Sequence, residues 1–207
     1  MNKETQEWID RLTDHPADRW MREYMFTFKP SDVRLLRTLS GKERKILWRV
    51  VKEQVSRTQR ITSYLELGVN CGASMWLIYP FMAESGIMVG VDKNNDPNDE
   101  RVKLRGRVME ALAQWLMDTI IIDKDTRDSV STVQAMSPFD LLLIDGDHSY
   151  EGVSFDWEHY VPMVRDGGMV ILHDVSNMAF GVHRLWEERR EELAWHSTHG
   201  NLGVGVK

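Results

Sequence analysis

Cysteine occurs once in the 207 residues, at Cys71. A single thiol excludes a disulfide within the chain and every zinc module built on several cysteines. Long apolar runs are missing too, since none approaches the ~18 residues that a membrane-spanning helix needs. With 14 glycines and 6 prolines, the chain lacks the load of a collagen-like or low-complexity segment. The opening MNKETQEWIDRL is charged throughout and holds no apolar stretch of signal-peptide type. These absences lead to the expectation of a soluble, cytoplasmic, globular protein. Hydrophobic residues make up 42% and charged residues 28%. A chain of this length buries roughly 70% of its unfolded surface, so it needs no covalent staple.

The net charge of −6 is unevenly spread. Residues 1–60 carry 14 Lys/Arg against 9 Asp/Glu, a surplus of +5, which leaves −11 on residues 61–207. A basic front on an acidic body can draw an anionic ligand or a phosphate backbone. Here the basic residues are mixed with acids and form no block, as on a solvated helical face. No membrane or nucleic-acid partner is expected.

Residues 1–60 read as helices. Trp8 and Leu12, then Trp20 and Met21 after the His15-Pro16 break, fall at helical spacing. Ser31 and Asp32 offer a cap for a helix carrying Val33, Leu35, Leu36 and Leu39. Ser40-Gly41 interrupts it, and Ile46, Leu47, Val50, Val51 and Val55 form a further amphipathic stripe. This extension is expected to act as a lid or a subunit contact rather than as an independent domain.

From Ile61 onward, short apolar runs alternate with helical patterns. Strands are expected at 63–69, 87–91, 119–122, 140–144 and 168–172, with a last short one at 203–206. Between them lie an apolar helix over 73–82 that Pro80 must kink or end, and a helix marked by Leu104, Val108, Leu112 and Trp115. Val153, Trp157, Tyr160, Val161 and Val164 mark the next helix; Val182, Leu185, Trp186 and Leu193 mark the last. Strands that are apolar along their length and alternate with helices predict a doubly wound, mostly parallel α/β sheet covered on both faces. Ligands of such sheets lie beyond the C-terminal strand ends. Polar residues gather at five of those ends: Glu66 with Gly68, Asp92, Asp125, Asp145 with Asp147 and His148, and His173 with Asp174.

The first turn reads Glu66-Leu67-Gly68-Val69-Asn70-Cys71-Gly72-Ala73-Ser74. A dinucleotide fingerprint wants glycine where Asn70 stands, and Gly72 comes one position early. The Glu66 carboxylate repels a pyrophosphate but suits a ligand carrying an ammonium or a sulfonium. The helix N-terminus that follows suits a carboxylate on the same ligand, and Asp92 can accept both hydroxyls of a ribose. S-adenosylmethionine fits these features better than NAD does.

YLELGVNCGAS, GVDKNN, LLLIDGDHSYEGV and GGMVILHDV together resemble the class I S-adenosylmethionine-dependent methyltransferases, which have a Rossmann-like sheet. The likeness is to the branch of small enzymes related to sugar and macrolide O-methyltransferases and to cephalosporin-pathway methyltransferase-like proteins. It spans residues 61–207, the expected methyltransferase domain, and does not extend to residues 1–60. The resemblance implies that Glu66, Gly68, Asn70 and Gly72 hold the methionine portion of the cofactor, with Ser74 reaching its carboxylate. Asp92 would bind the ribose, Asp125 and Thr126 would flank the adenine, and Asp145 would border the same site. Metal-dependent relatives hold a divalent cation, Mg²⁺ or another, at the positions of Asp145, His173 and Asp174. His173 stands where those relatives carry a carboxylate, and imidazole suits Mg²⁺ less well than oxygen does. Asp147 or His148 would then be the base that deprotonates a small hydroxylated acceptor. Two other readings use the same residues: a metal-dependent hydrolase, and a cofactor-binding or interaction protein of this fold without catalysis.

Overall fold

A computed structural model describes residues 40–58, 60–113 and 118–207 of the chain. The helices expected around Trp8, Trp20 and residues 33–39 lie outside the described residues, as does Trp115.

Helix α1 (Gly41–Thr58) starts at a capping box. Ser40 Oγ accepts from the Glu43 N–H at 3.2 Å, and Glu43 Oε2 accepts from the Ser40 N–H at 2.6 Å. Ser40-Gly41 is therefore the start signal of this helix. The apolar stripe turns Leu47, Val50 and Val51 into the core.

Strands and helices then alternate: β1 (Ile61–Leu67), α2 (Ala73–Ile78), β2 (Met82–Val91), α3 (Glu100–Ala113), β3 (Asp118–Ile122) and α4 (Thr126–Gln134). They continue with β4 (Phe139–Ile144), α5 (Tyr150–Tyr160), β5 (Val164–Leu172), α6 (Gly181–Arg189), β6 (Trp195–His199) and β7 (Leu202–Val206). The sheet runs β3-β2-β1-β4-β5-β7-β6. The first five strands are mutually parallel, and β7 is antiparallel to both its neighbours.

The two-residue period of a strand sorts its side chains onto two covered faces. Tyr64, Leu141, Met169 and Val204 pack with residues of α1, α2 and α3. Leu65, Leu142 and Val170 pack with residues of α4, α5 and α6. The doubly wound architecture is thus as expected, with α1 packed into one of the two cores. Among the described residues, no helix is long and apolar enough to cross a membrane.

Several boundaries differ from the sequence pattern. Pro80 enters a 3₁₀ turn (Tyr79–Phe81) that ends α2 at Ile78, because proline supplies no N–H to the helix. β2 and β5 begin at Met82 and Val164, earlier than their apolar runs, as backbone pairing extends past the buried residues. β6 has no apolar alternation, so its sequence carries no strand signal. It is an edge strand with Trp195 half exposed, formed by pairing with β7.

Candidate functional site

The five parallel strands end together. Leu67 pairs with Val91 and Ile144, Val91 with Ile122, and Ile144 with Leu172. The residues that follow are Gly68, Asp92, Asp123, Asp145 and His173, so the polar strand ends form one edge. Strand order reverses between β1 and β4, the switch point where a crevice opens in such sheets. Gly68 and Asp145 flank it. Asp123, not Asp125, follows β3 directly; Asp125 caps α4 by accepting from the Arg127 N–H at 3.1 Å.

The first turn is built by backbone conformation. Gly68, Asn70 and Gly72 have φ of 88°, 52° and 82°. A side chain at Gly68 is excluded by the Asp145 carbonyl, and one at Gly72 would press on Val108 of α3. Gly72 therefore serves packing against α3 and lines neither cavity at this edge. Asp92 braces the turn: its Oδ2 accepts from the Asn70 N–H at 2.6 Å and its Oδ1 from the Asn94 N–H at 2.8 Å. Arg105 Nη1 lies 3.3 Å from Asp92 Oδ1. Oδ1 thus faces two donors and Oδ2 one, so Oδ2 keeps further accepting capacity.

Two cavities meet at this edge. One, of about 240 Å³, is lined by Gly68, Asn70, Asp92, Asp125, Thr126, Asp145, Asp147 and His148, among others. The other, of about 250 Å³, is lined by Gly68, Val69, Asn70, Ser74, Asp145, His148, His173 and Asp174. Gly68, Asn70, Asp145 and His148 form the wall they share. Glu66 lines neither. It is buried inside β1, where its carboxyl group accepts from Tyr64 Oη at 2.7 Å and from Ser74 Oγ. Burial, against the help of these two donors, pushes its pKa up to about 8. The structure thus gives Glu66 a place beneath the turn, without contact to either cavity.

Asp145, His148, His173 and Asp174 converge, with one ligand atom from each within 4.8 Å of the others. His148 Nε2 lies 2.9 Å from Asp174 Oδ2 and 3.7 Å from Asp145 Oδ1. His173 Nδ1 lies 3.1 Å from Asp145 Oδ1 and 3.4 Å from Asp174 Oδ2. Both nitrogens are buried, and neither makes a well-aligned hydrogen bond. The orphaned His173 Nδ1, aimed between two carboxylates, makes with them a donor set that suits a divalent cation, and His148 Nε2 lies beside it. Asp174, at φ 62°, is turned into this position by the bend after β5. The Phe180 ring stands 4.7 Å from the His148 ring and backs it.

Charges within the cluster sustain one another. Asp145 stays below its ordinary pKa, because both histidines outweigh the opposing effect of burial. The Asp145 carboxylate raises His148. Burial opposes charge on His173, yet Asp145 and Glu43 hold its pKa up at about 10. Asp147 is exposed at the mouth. Its Oδ1 accepts from the Ser149 N–H at 2.8 Å, which lowers its pKa, while Ser149 itself caps α5.

Three participants escaped the sequence reading. Glu43 of α1 meets His173 Nε2 at 3.2 Å. Asn201 Nδ2 donates to Glu43 Oε1 at 3.1 Å and also to Asp174 Oδ1. Arg105 of α3 ties Asp92 to the Asn94 carbonyl. Only Glu43 had a readable signal, the S-x-x-E spacing from Ser40, and that signal reports a helix start.

A family model described as "Methyltransferase domain" matches residues 65–175. A curated relative from Sinorhizobium fredii, Uncharacterized protein y4gI, is 31% identical over 103 residues. The match covers 47% of this chain and 11% of that protein, so the chain spans only a small part of the relative's length. The O-methyltransferase from Bacillus cereus, solved in complex with SAH, has a TM-score of 0.62 at 17% identity, covering 98% of this chain and 96% of that one. MycE from the mycinamycin biosynthetic pathway, solved with Mg and SAH, has a TM-score of 0.61 at 14% identity. That comparison covers 95% of this chain and 55% of MycE. At these identities the two structures share a fold with this chain.

Proposed function

The chain belongs to the methyltransferase domain family, and from that premise we propose that it moves the methyl group of S-adenosylmethionine onto an oxygen of a small hydroxylated acceptor. The observation that carries this reading is the pair of cavities with a common wall at Gly68, Asn70, Asp145 and His148. A group transfer needs two substrates held face to face, and two adjoining cavities supply that arrangement.

The cofactor belongs in the first cavity. Asp92 offers its remaining lone pairs to the ribose hydroxyls, Asp125 and Thr126 border the adenine, and Gly68 and Asn70 bring backbone against the methionine portion. The acceptor enters the second cavity. Its oxygen attacks the methyl carbon in line with the departing sulfur; the C–O bond forms as the C–S bond breaks, and neutral S-adenosylhomocysteine leaves. The hydroxyl proton passes to His148, which lines both cavities and whose basicity Asp145 raises. Asp147, held by the Ser149 N–H with a lowered pKa, is the poorer base. A divalent cation held by Asp145, His173 and Asp174 would lower the acceptor's pKa and orient it.

Residues 1–60 and 61–207 divide in this proposal into a helical extension and the methyl-transferring domain. The extension takes part in the site, since α1 delivers Glu43 to His173. Incubation with methyl-labelled S-adenosylmethionine and a panel of sugars and phenols tests the reading. Label is expected on an acceptor oxygen. Failure to bind S-adenosylhomocysteine in calorimetry would overturn it, whereas binding without transfer to any nucleophile would favour a non-catalytic cofactor-binding protein.

A further inference from the structure

His173 is 8% exposed, and its two nitrogens face different partners. Nε2 meets Glu43 Oε1 at 3.2 Å. An ionised carboxylate only accepts, so Nε2 carries a proton and Nδ1 is left to face Asp145 and Asp174.

Glu43 is itself held from three sides. Its Oε2 caps Ser40, and its Oε1 accepts from His173 and from Asn201. The Asn201 amide has one orientation, because its Oδ1 accepts from Ser176 Oγ at 2.6 Å and its Nδ2 must then face the two carboxylates. Helix α1, the β5 end and the turn before β7 are thereby locked around one imidazole.

We propose that Glu43 is a positioning residue that presents His173 Nδ1 as a nitrogen ligand, so that the Asp145–His173–Asp174 set takes Mn²⁺, Co²⁺ or Zn²⁺ in preference to Mg²⁺. The inference rests on the preceding reading that this edge holds a divalent cation. Imidazole ligates the transition ions well, whereas Mg²⁺ favours an oxygen shell and gives up its waters reluctantly. A carboxylate behind a ligating histidine fixes its ring and tautomer and strengthens its donation.

The test uses the full chain and calorimetric titration with MnCl₂, CoCl₂, ZnCl₂ and MgCl₂, with S-adenosylhomocysteine titrated separately. Co²⁺ and Zn²⁺ are expected to bind at least about 100-fold more tightly than Mg²⁺, as a nitrogen-bearing site requires. Glu43→Gln, which preserves the capping box, is expected to weaken Co²⁺ binding by about 10–100-fold and to move the visible absorption bands of the Co²⁺ form. Its affinity for S-adenosylhomocysteine stays unchanged. His173→Asp is expected to restore Mg²⁺ binding toward that of Mn²⁺. Equal affinity of the wild type for Mg²⁺ and Co²⁺, or unchanged Co²⁺ affinity and bands in Glu43→Gln, overturns the inference without touching the methyl-transfer reading. Absence of S-adenosylhomocysteine binding strikes that reading alone.

Discussion

The backbones of Gly68 and Asp145 are in such close contact that a methyl group on Gly68 would stand 2.1 Å from the Asp145 carbonyl oxygen. The Asp145 N–H also donates to the Leu67 carbonyl at 2.8 Å. Gly68 and Asp145 also belong to the wall that the two cavities share.

Gly68→Ala is therefore expected to lower stability by roughly 2–4 kcal/mol, combining the left-handed φ with the overlap. Thermal or urea denaturation measures the loss, and calorimetry should show S-adenosylhomocysteine binding reduced beyond the shift in stability. A variant of wild-type stability and affinity would separate this contact from the site.

Asp92→Ala removes the acceptor proposed for the ribose and frees the Asn70 and Asn94 N–H groups. Affinity for S-adenosylhomocysteine is expected to fall by about 1.5–3 kcal/mol, as for hydrogen bonds to a charged group. Circular dichroism checks that the fold persists. Unchanged affinity in a folded variant removes Asp92 from the cofactor site.

His148→Ala is expected to slow turnover by about 10²–10⁴-fold, the contribution of a general base, while metal and S-adenosylhomocysteine affinities hold. His148 Nε2 lies as close to Asp174 as His173 Nδ1 does to Asp145. A parallel loss of metal affinity would make His148 a fourth ligand instead of the base.

Glu66 gives stability a pH dependence of defined sign. Its pKa rises from the ordinary 4.5 to about 8 on folding, chiefly through burial. The folded state thus binds this proton more tightly than the unfolded chain does. The associated stability is complete below pH 4.5 and is lost as pH rises toward 8. Urea midpoints should decline across that window, with a limiting slope of about 1.4 kcal/mol per pH unit for one proton. Glu66→Gln should flatten this component. Asp156, raised to about 6 mainly by burial, declines in the same direction, but it is common to both proteins and cancels in their difference. Identical pH profiles would show that Glu66 is ionised in its buried position.

Much of the fold was legible in the chain itself. The alternation of apolar strands with helices, the polar residues closing each parallel strand, and the stripe of α1 are local patterns. Period two and period 3.6 decide them within a few residues of one another. The Asp145, His148, His173 and Asp174 group was visible for the same reason, as residues at the ends of β4 and β5. Tertiary structure alone decided which polar groups border the cavities. Glu66 and Gly68 sit two residues apart on one strand end, yet the first is buried against Tyr64 and Ser74 while the second borders both cavities. Glu43 and Asn201 stand 158 residues apart and meet over Asp174 only because α1 and β7 pack into the same core. No local period encodes that meeting. It follows from burial of the two sheet faces, which sets the elements side by side and leaves their polar ends to pair.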